Sequence, residues 1–335
     1  MVDATHIRLA ATDRSYFSLV KKEIHRKAIE IGISEKRTAE VDLIVAEITS
    51  NLYKYAIDGE ILAGTFNGAG NPYIEIICID NGPGIINPSR MLQDGLSTTN
   101  TLGHGLGSIK RLSDEFDIYS MNGWGTIVLS RVYLKEPTKL ASPVEVRSIV
   151  IAKQGESTSG DGFMMKATKD SYKFMLADGL GHGPEANTAV NEAEKCFRIF
   201  PDPDPVETLR FLHNSIKRTR GMVANVISFD LKSKMWSATG VGNIGVRWLG
   251  PNTSKNHMSY NGIVGHNIPN TMNVQQYAAD MYNQVVLTSD GIKTRWDMAK
   301  YPAIQKCDPS ILAAAIYKDH ARHTDDMSVV VIKYR

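Results

Sequence analysis

Two hydrophobic periodicities alternate along this chain. Between Asp13 and Gly32 the apolar positions Tyr16, Leu19, Val20, Ile24 and Ala28 recur at steps of three and four. Thr38–Ala56 repeats the pattern with Val45, Ile48, Leu52 and Tyr55. Both segments are expected to be amphipathic helices. His6–Leu9, Ile61–Phe66 and Tyr73–Ile79 read as strands, Gly105–Phe116 as a helix, and Phe116–Met121 and Thr126–Tyr133 as closing strands. Further on, extended patterns dominate: Val146–Lys153, Gly162–Ala167, Tyr172–Ala177, Val223–Asp230, Met235–Val241, Ile244–Leu249, Gln284–Ser289 and Ser328–Lys333. Helical patterns fall at Pro184–Phe200, Pro205–Arg218 and Pro309–His320, and Asp204 or Pro205 opens the second of these.

The periodicity stops at Lys135–Pro143, where two prolines stand among polar residues. Proline removes a backbone donor and disfavours helix at the residue before it, so this stretch reads as a linker. The expected division is residues 1–136, a linker over 137–145, and residues 146–335. Mixed helices and strands in both parts give an α+β class with two sandwich domains. A length of 335 residues agrees with two domains.

Composition narrows the partners. Lys and Arg total 38 and Asp and Glu 36, a formal net charge of +2. That balance offers no electrostatic basis for nucleic acid or an anionic membrane as the main partner. No apolar run reaches the ~20 residues that span a bilayer, and the N-terminus carries no signal-peptide pattern. Cys78, Cys196 and Cys307 lie far apart without a CxxC pair. A cytoplasmic location and no zinc site are the expectations.

Three patterns in the first part carry chemistry. Glu47 and Asn51 stand four residues apart on one helix face. A carboxylate beside an amide there suits a Mg²⁺ ion and a nearby hydroxyl, although the pair taken alone reads first as a solvated helix face. Asp80-Asn81-Gly82-Pro83-Gly84 ends a strand whose alternation puts Ile74, Ile76, Cys78 and Asp80 on one face. Asp80 would accept a proton from a ligand amine, and the glycines would let backbone approach a flat ring; the bland alternative is a turn. Gly103-His104-Gly105-Leu106-Gly107 precedes a helix, where amides and the positive dipole end face phosphate. The dinucleotide-binding fingerprint is excluded, because the sixth position from Gly103 is Ser108 and no strand precedes it.

The order of these patterns resembles the GHKL, or Bergerat-type, ATP-binding fold of histidine kinases, gyrase and Hsp90-type chaperones. Met91–Thr99, Leu106, Lys110–Phe116 and Gly123-Trp124-Gly125-Thr126 are similar to the RsbT-like switch serine kinases of the bacterial stressosome, over nearly all of residues 5–134. The resemblance implies ATP–Mg²⁺ as cofactor and phosphorylation of a serine or threonine on a STAS-domain protein, of stressosome or anti-sigma-antagonist type. A downstream regulator would be released by that phosphorylation. Carried over by motif, Asn51 would bind Mg²⁺ and Glu47 would orient or deprotonate the acceptor hydroxyl. Asp80 would bind the adenine amine, and Gly82, Gly84, Gly103, Gly105, Gly107 and Thr126 would form the base pocket and phosphate lid. No phosphoacceptor-histidine region or dimerisation helix pair precedes the pattern, which argues against a histidine kinase.

In the second part, acidic residues stand at strand ends: Asp161-Gly162, Asp178-Gly179, Asp290-Gly291 and Asp325-Asp326. Asp-Gly is also a hairpin signal, so each alone reads as a turn. Together, carboxylates converging from strand ends make an oxygen-rich site for Mg²⁺ or Mn²⁺, and two such ions would activate water and clamp phosphate. No CxxxxxR phosphate loop surrounds Cys196 or Cys307. The series Gly160-Asp161, Ala177–Gly183, Gly242-Asn243, Ser289-Asp290-Gly291 and Asp325–Ser328 resembles the RsbX/SpoIIE-like branch of the metal-dependent protein phosphatase 2C class, an αββα sandwich. That resemblance implies two Mn²⁺ or Mg²⁺ ions held by Asp161, Asp178, Asp290 and Asp325, with the Gly179 carbonyl contributing and Asp326 as direct or supporting ligand. No arginine near Asp161 matches the phosphate-binding arginine of larger members. His104, His182, the four tryptophans and Met164-Met165 are left as loop or packing residues.

Taken together, the expectation is a protein serine/threonine kinase joined to an opposing serine/threonine phosphatase. The alternative makes the first domain a non-catalytic, ATP-dependent binding module and leaves only the phosphatase active.

Overall fold

The computed structural model describes residues 5–68, 70–92, 105–137 and 142–335. Gly103, His104, most of the Met91–Thr99 segment and part of the linker lie outside the described residues. Contacts divide the chain into two units, one of His6–Ala141 with Ala299–Ala315, the other of Met1–Thr5, Ser142–Met298 and Ile316–Arg335. Among the described residues, no helix is long and apolar enough to cross a membrane.

The first unit contains β1 (Ile7–Ala10), α1 (Phe17–Glu30), α2 (Glu35–Tyr55), β2 (Glu60–Gly68), β3 (Asn71–Asp80), the short α3 (Pro88–Met91), α4 (Gly105–Leu112), β4 (Glu115–Met121) and β5 (Gly125–Tyr133). The strands form one antiparallel sheet in the order β1-β2-β3-β5-β4. Helix periodicity and strand alternation meet in a single core. Val20, Ile24 and Ala28 of α1 and Val41, Ile44, Val45 and Ile48 of α2 pack on Ile61, Ile74, Ile76 and Val128 of the sheet. Helix α4 ends at Leu112, four residues earlier than its sequence pattern suggests. Asp114 turns the chain there: its amide donates to the Arg131 carbonyl (2.9 Å) and its carboxylate accepts from the Tyr133 amide (2.8 Å), which commits Glu115 and Phe116 to β4.

On the opposite sheet face, strand register aligns Glu75 of β3 and Glu115 of β4 with Arg131 of β5 between them. The Arg131 side chain is 0% exposed and meets Glu75 and Glu115 at 2.6 Å each. Nη1, which meets Glu115, also donates to the Asp308 carboxylate (2.7 Å), and Nη2 donates to its second oxygen and to Ser310 Oγ (2.8 Å each). His6 Nε2 lies 3.2 Å from the second Glu75 oxygen. Residues Ala299–Ala315 are thereby fixed to this sheet through buried, charge-assisted hydrogen bonds.

The second unit has β6 (Val144–Ile151), β7 (Asp161–Ala167), β8 (Ser171–Gly179), α5 (Pro184–Ile199), α6 (Pro205–Ser215), β9 (Met222–Asp230), β10 (Met235–Val241), β11 (Gly245–Leu249), β12 (Ser254–Asn256), β13 (Gln275–Ala278) and β14 (Gln284–Thr288). Helix α7 (Pro309–His320) and β15 (Met327–Tyr334) complete the chain, the residues of α7 through Ala315 grouping with the first unit. Two five-stranded sheets run β13-β10-β9-β8-β7 and β12-β11-β14-β15-β6. Phe174, Phe229 and Trp236 from the first sheet and Trp248, Val285 and Val330 from the second fill one aromatic-rich core. Val190 and Phe197 of α5 and Leu209 and Leu212 of α6 cover Met175 and Ala224 on the first sheet's other face. Asp204 caps α6 by accepting from the amides of Val206 (2.7 Å) and Glu207 (3.0 Å), with Pro205 at the first turn.

Candidate functional site

In the first unit, Glu47 and Asn51 project from α2 toward the start of α4. A side chain added at Gly105 would place its first carbon 3.1 Å from Glu47 Oε2 and 3.2 Å from Asn51 Oδ1. Gly105 and the acid–amide pair therefore form one place, although Gly105 lies 54 residues from Asn51 in the chain. Gly105 itself begins the helix, and Gly107 is buried.

Asp80 ends β3 opposite Thr126 of β5. Its Oδ1 accepts from the Gly82 amide at 2.7 Å, so the carboxylate shapes its own turn. Gly84 follows with φ +75°, and a Cβ there would lie 2.0 Å from the Met121 carbonyl oxygen, so no other residue fits without backbone movement. Ser120 knits this corner together: its Oγ accepts from the Ile85 amide (2.7 Å), donates to the Gly125 carbonyl (2.9 Å) and lies 2.9 Å from Thr126 Oγ1. Sequence reading did not single out Ser120; its signal is only that it directly precedes the Met121–Gly125 turn. A cavity of about 360 Å³ between α1 and α2, with Arg14, Phe17, Lys21 and Tyr53 in its wall, includes neither Glu47 nor Asn51.

In the second unit, Asp161 and Asp178 are partners across β7 and β8. Asp161 is 5% exposed. Its Oδ2 accepts from Ser328 Oγ at 2.7 Å, while its Oδ1 is buried without a hydrogen-bond partner. Burial pushes the Asp161 carboxyl well above the usual carboxylate range, against the hydroxyls of Ser289 and Ser328, which favour its charge. Asp178 is pushed up further, first by burial and then by the fields of Asp161, Asp290, Asp325 and Asp326. Asp326 is raised as well, first by burial, and the mutual field of neighbouring carboxylates adds to burial at Asp161, Asp178 and Asp326. Asp290 Oδ2 accepts from Asn243 Nδ2 at 3.1 Å.

Asp325 and Asp326 divide their tasks. Asp326 is buried and uses both oxygens on backbone amides, Lys153 and Gly160, each at 2.8 Å. Asp325 is only half-buried and accepts from the Asp326 amide at 2.9 Å. The Gly179 amide donates to the Gly160 carbonyl (3.0 Å), tying the Asp178 loop to the Asp161 loop. Among the described residues, no three His, Cys, Asp or Glu groups close on one ion position. The donors are hard oxygens, and the buried, unpartnered Asp161 Oδ1 is of the kind that suits a Mg²⁺ or Mn²⁺ ion.

These arrangements define two classes of domain in one chain: a histidine kinase-like ATPase sandwich and a two-sheet sandwich with carboxylates at its strand ends. Residues 10–131 match the histidine kinase-like ATPase domain family. The serine/threonine-protein kinase RsbT of Bacillus subtilis (strain 168) is 35% identical over 108 residues, 32% of this chain and 81% of that protein. The chain belongs to the RsbT family. Phosphoserine phosphatase RsbX of the same organism is 27% identical over 92 residues, 28% of this chain and 46% of that protein, so the match spans about half of that relative. Among solved structures, a chain from the bacterial stressosome, a modular system adapted to control secondary messenger signalling, is 26% identical. It covers 57% of this chain and 99% of its own length with a TM-score of 0.52. RsbX in complex with magnesium covers 57% of this chain and 96% of its own length with a TM-score of 0.51 at 18% identity, a likeness of fold. The α+β reading, a GHKL-type ATPase followed by a protein phosphatase 2C-like sandwich, holds.

Proposed function

We propose that this chain is a bifunctional, cytoplasmic partner-switching regulator that phosphorylates a serine or threonine on a STAS-domain protein and removes phosphate from that protein or a related one. The observation that carries the reading is the pairing of two furnished sites: Gly105 against Glu47 and Asn51 in one unit, and the carboxylate group around Asp161 Oδ1 in the other.

In the first site Asn51 would hold Mg²⁺ with the ATP phosphates, and Asp80 would take the adenine amine beside the Gly82–Gly84 turn. Glu47 Oε2, a few ångströms from the Gly105 backbone, stands where an acceptor hydroxyl would give up its proton. Phosphoryl transfer chiefly needs such positioning and charge neutralisation. In the second site Asp161, Asp178, Asp290 and Asp325 would hold two Mg²⁺ or Mn²⁺ ions, which supply an activated water and neutralise the phosphate. Ser328, Ser289 and Asn243 keep the carboxylates oriented. Tethering both activities gives each a high effective concentration at one scaffold.

The presence of Glu47 favours a kinase over a clamp, since binding alone needs no base. The test mixes the protein with ATP–Mg²⁺ and a STAS-domain partner. Phosphate incorporation that Glu47→Ala abolishes supports the assignment, incorporation unchanged in Glu47→Ala removes the base role, and none in either protein favours the binding module.

A further inference from the structure

The second site holds five carboxylates, yet its substrate is a dianion. Metal ions balance part of that charge, and an organic cation at the rim would balance the rest and give direction. Strand register brings one there. Gly179 pairs with Met222 across β8 and β9, which puts the Lys217-Arg218-Thr219-Arg220 loop at the same sheet end as Asp178 and Asp161.

That loop is braced. Thr219 Oγ1 donates to the Ile216 carbonyl (2.8 Å) and accepts from the Gly221 amide (3.0 Å). The Leu180 amide donates to the Gly221 carbonyl at 3.1 Å, and the His266 ring lies 2.8 Å from the Arg220 carbonyl oxygen. The Arg220 guanidinium rests over the loop that carries Asp178: a Cβ on Gly181 would be 3.1 Å from Arg220 Nη1. The Gly181 carbonyl oxygen in turn lies 3.5 Å from the position a Cβ on Gly160 would take, next to Asp161. Arg220 pairs with Glu185 in the first turn of α5, and both are open to water, 50% and 68% exposed. An exposed pair of this kind contributes little and separates readily.

We infer that Arg220 is the substrate-phosphate residue of the second site, exchanging Glu185 for the phosphoryl oxygens of a phosphoserine or phosphothreonine side chain. The planar guanidinium can take two oxygens at once, which a loop lysine cannot. Glu185 then acts as a competitor that holds the guanidinium in place between substrates. This rests on the phosphatase reading above.

The experiment measures inorganic phosphate binding to the Mn²⁺-loaded protein by calorimetry, together with KM and kcat on a phosphoserine peptide. Arg220→Ala is expected to weaken phosphate binding and raise KM by about tenfold each, the loss of a charge-assisted pair. Mn²⁺ affinity stays unchanged and Arg220→Lys recovers only part of the loss. Glu185→Gln tightens phosphate binding, and Arg218→Ala, on the same loop, changes neither constant. Equal phosphate affinity in wild type and Arg220→Ala overturns the inference whatever the turnover, as does an equal loss in Arg218→Ala. A wild type that binds phosphate through Arg220 but releases none from the peptide removes the phosphatase reading and leaves the anion site standing.

Discussion

Asp161 and Asp178 sit directly opposite one another on neighbouring antiparallel strands, two carboxylates held together by backbone register. Side chains so paired stand about 5 Å apart at Cβ and repel when both are ionised. Such a pair is a standing cost unless a cation occupies it. Without metal, Asp178→Asn should therefore raise the melting temperature at pH 8 by about 2–4 °C, the equivalent of roughly 1 kcal/mol in a domain of this size. With Mn²⁺ added, wild type should gain stability and Asp178→Asn should not. Differential scanning fluorimetry with and without Mn²⁺ checks both, and a metal-induced shift preserved in the variant contradicts the site.

The buried Arg131 gives a second expectation. Arg131→Met leaves Glu75 buried with His6 and Ser310 as partners and takes the guanidinium from Asp308, which keeps the Ser310 amide. Removing one member of a buried ion network costs about 3–5 kcal/mol. Urea denaturation of the full chain should show that loss, and limited proteolysis should cut Ala299–Ala315 in the variant before it does so in wild type. A variant within 1 kcal/mol of wild type, by the range of ordinary surface changes, would contradict the role given to this network.

His257 makes part of the stability pH-dependent. Burial, the main cause, holds its pKa down at about 4 against an ordinary 6.5. The folded state thus keeps the ring neutral where the unfolded chain binds a proton. Its contribution is intact above pH 6.5 and is lost as the pH falls from 6.5 toward 4. At pH 4.5 that amounts to about 2–3 kcal/mol. Denaturation of wild type and His257→Gln at pH 7.5 and 4.5 isolates it: the variant should lose less on acidification. Equal losses would mean the ring is protonated alike in both states.

Gly105→Ala tests the first site without touching its chemical groups. The added methyl would press on Glu47 and Asn51 at 3.1–3.3 Å. ATP–Mg²⁺ affinity by calorimetry should fall by about tenfold, the order of one lost or displaced polar contact. Unchanged affinity would place the nucleotide elsewhere.

The parts of the molecule legible in the sequence are those written by short-range pattern. The helices around Val45 and Ala193, the strands bearing Asp80 and Asp178 and the strand that leads to Asp290 follow from periods of 3.6 and 2. The boundary at Leu112 was not legible, because Asp114 ends the helix through bonds to Arg131 and Tyr133, across the sheet. Strands β12 and β13 escaped notice, since Ser254–Asn256 and Gln275–Ala278 are short and polar and exist only by pairing with β11 and β10. Strand ends gave the acidic positions, but only long-range register sets Asp161 against Asp178 or lays Arg220 over Gly181. The grouping of Ala299–Ala315 with the first unit depends likewise on Asp308 and Arg131, far apart in the chain.

The central claim, that one chain both adds and removes phosphate on a STAS-type partner, is tested by the steady-state phosphorylation of that partner in ATP, Mg²⁺ and Mn²⁺. Phosphopartner should build up to a higher level with Asp178→Asn than with wild type, and should vanish with Glu47→Ala. Equal levels in wild type and Asp178→Asn, or no phosphopartner in either, would contradict the account.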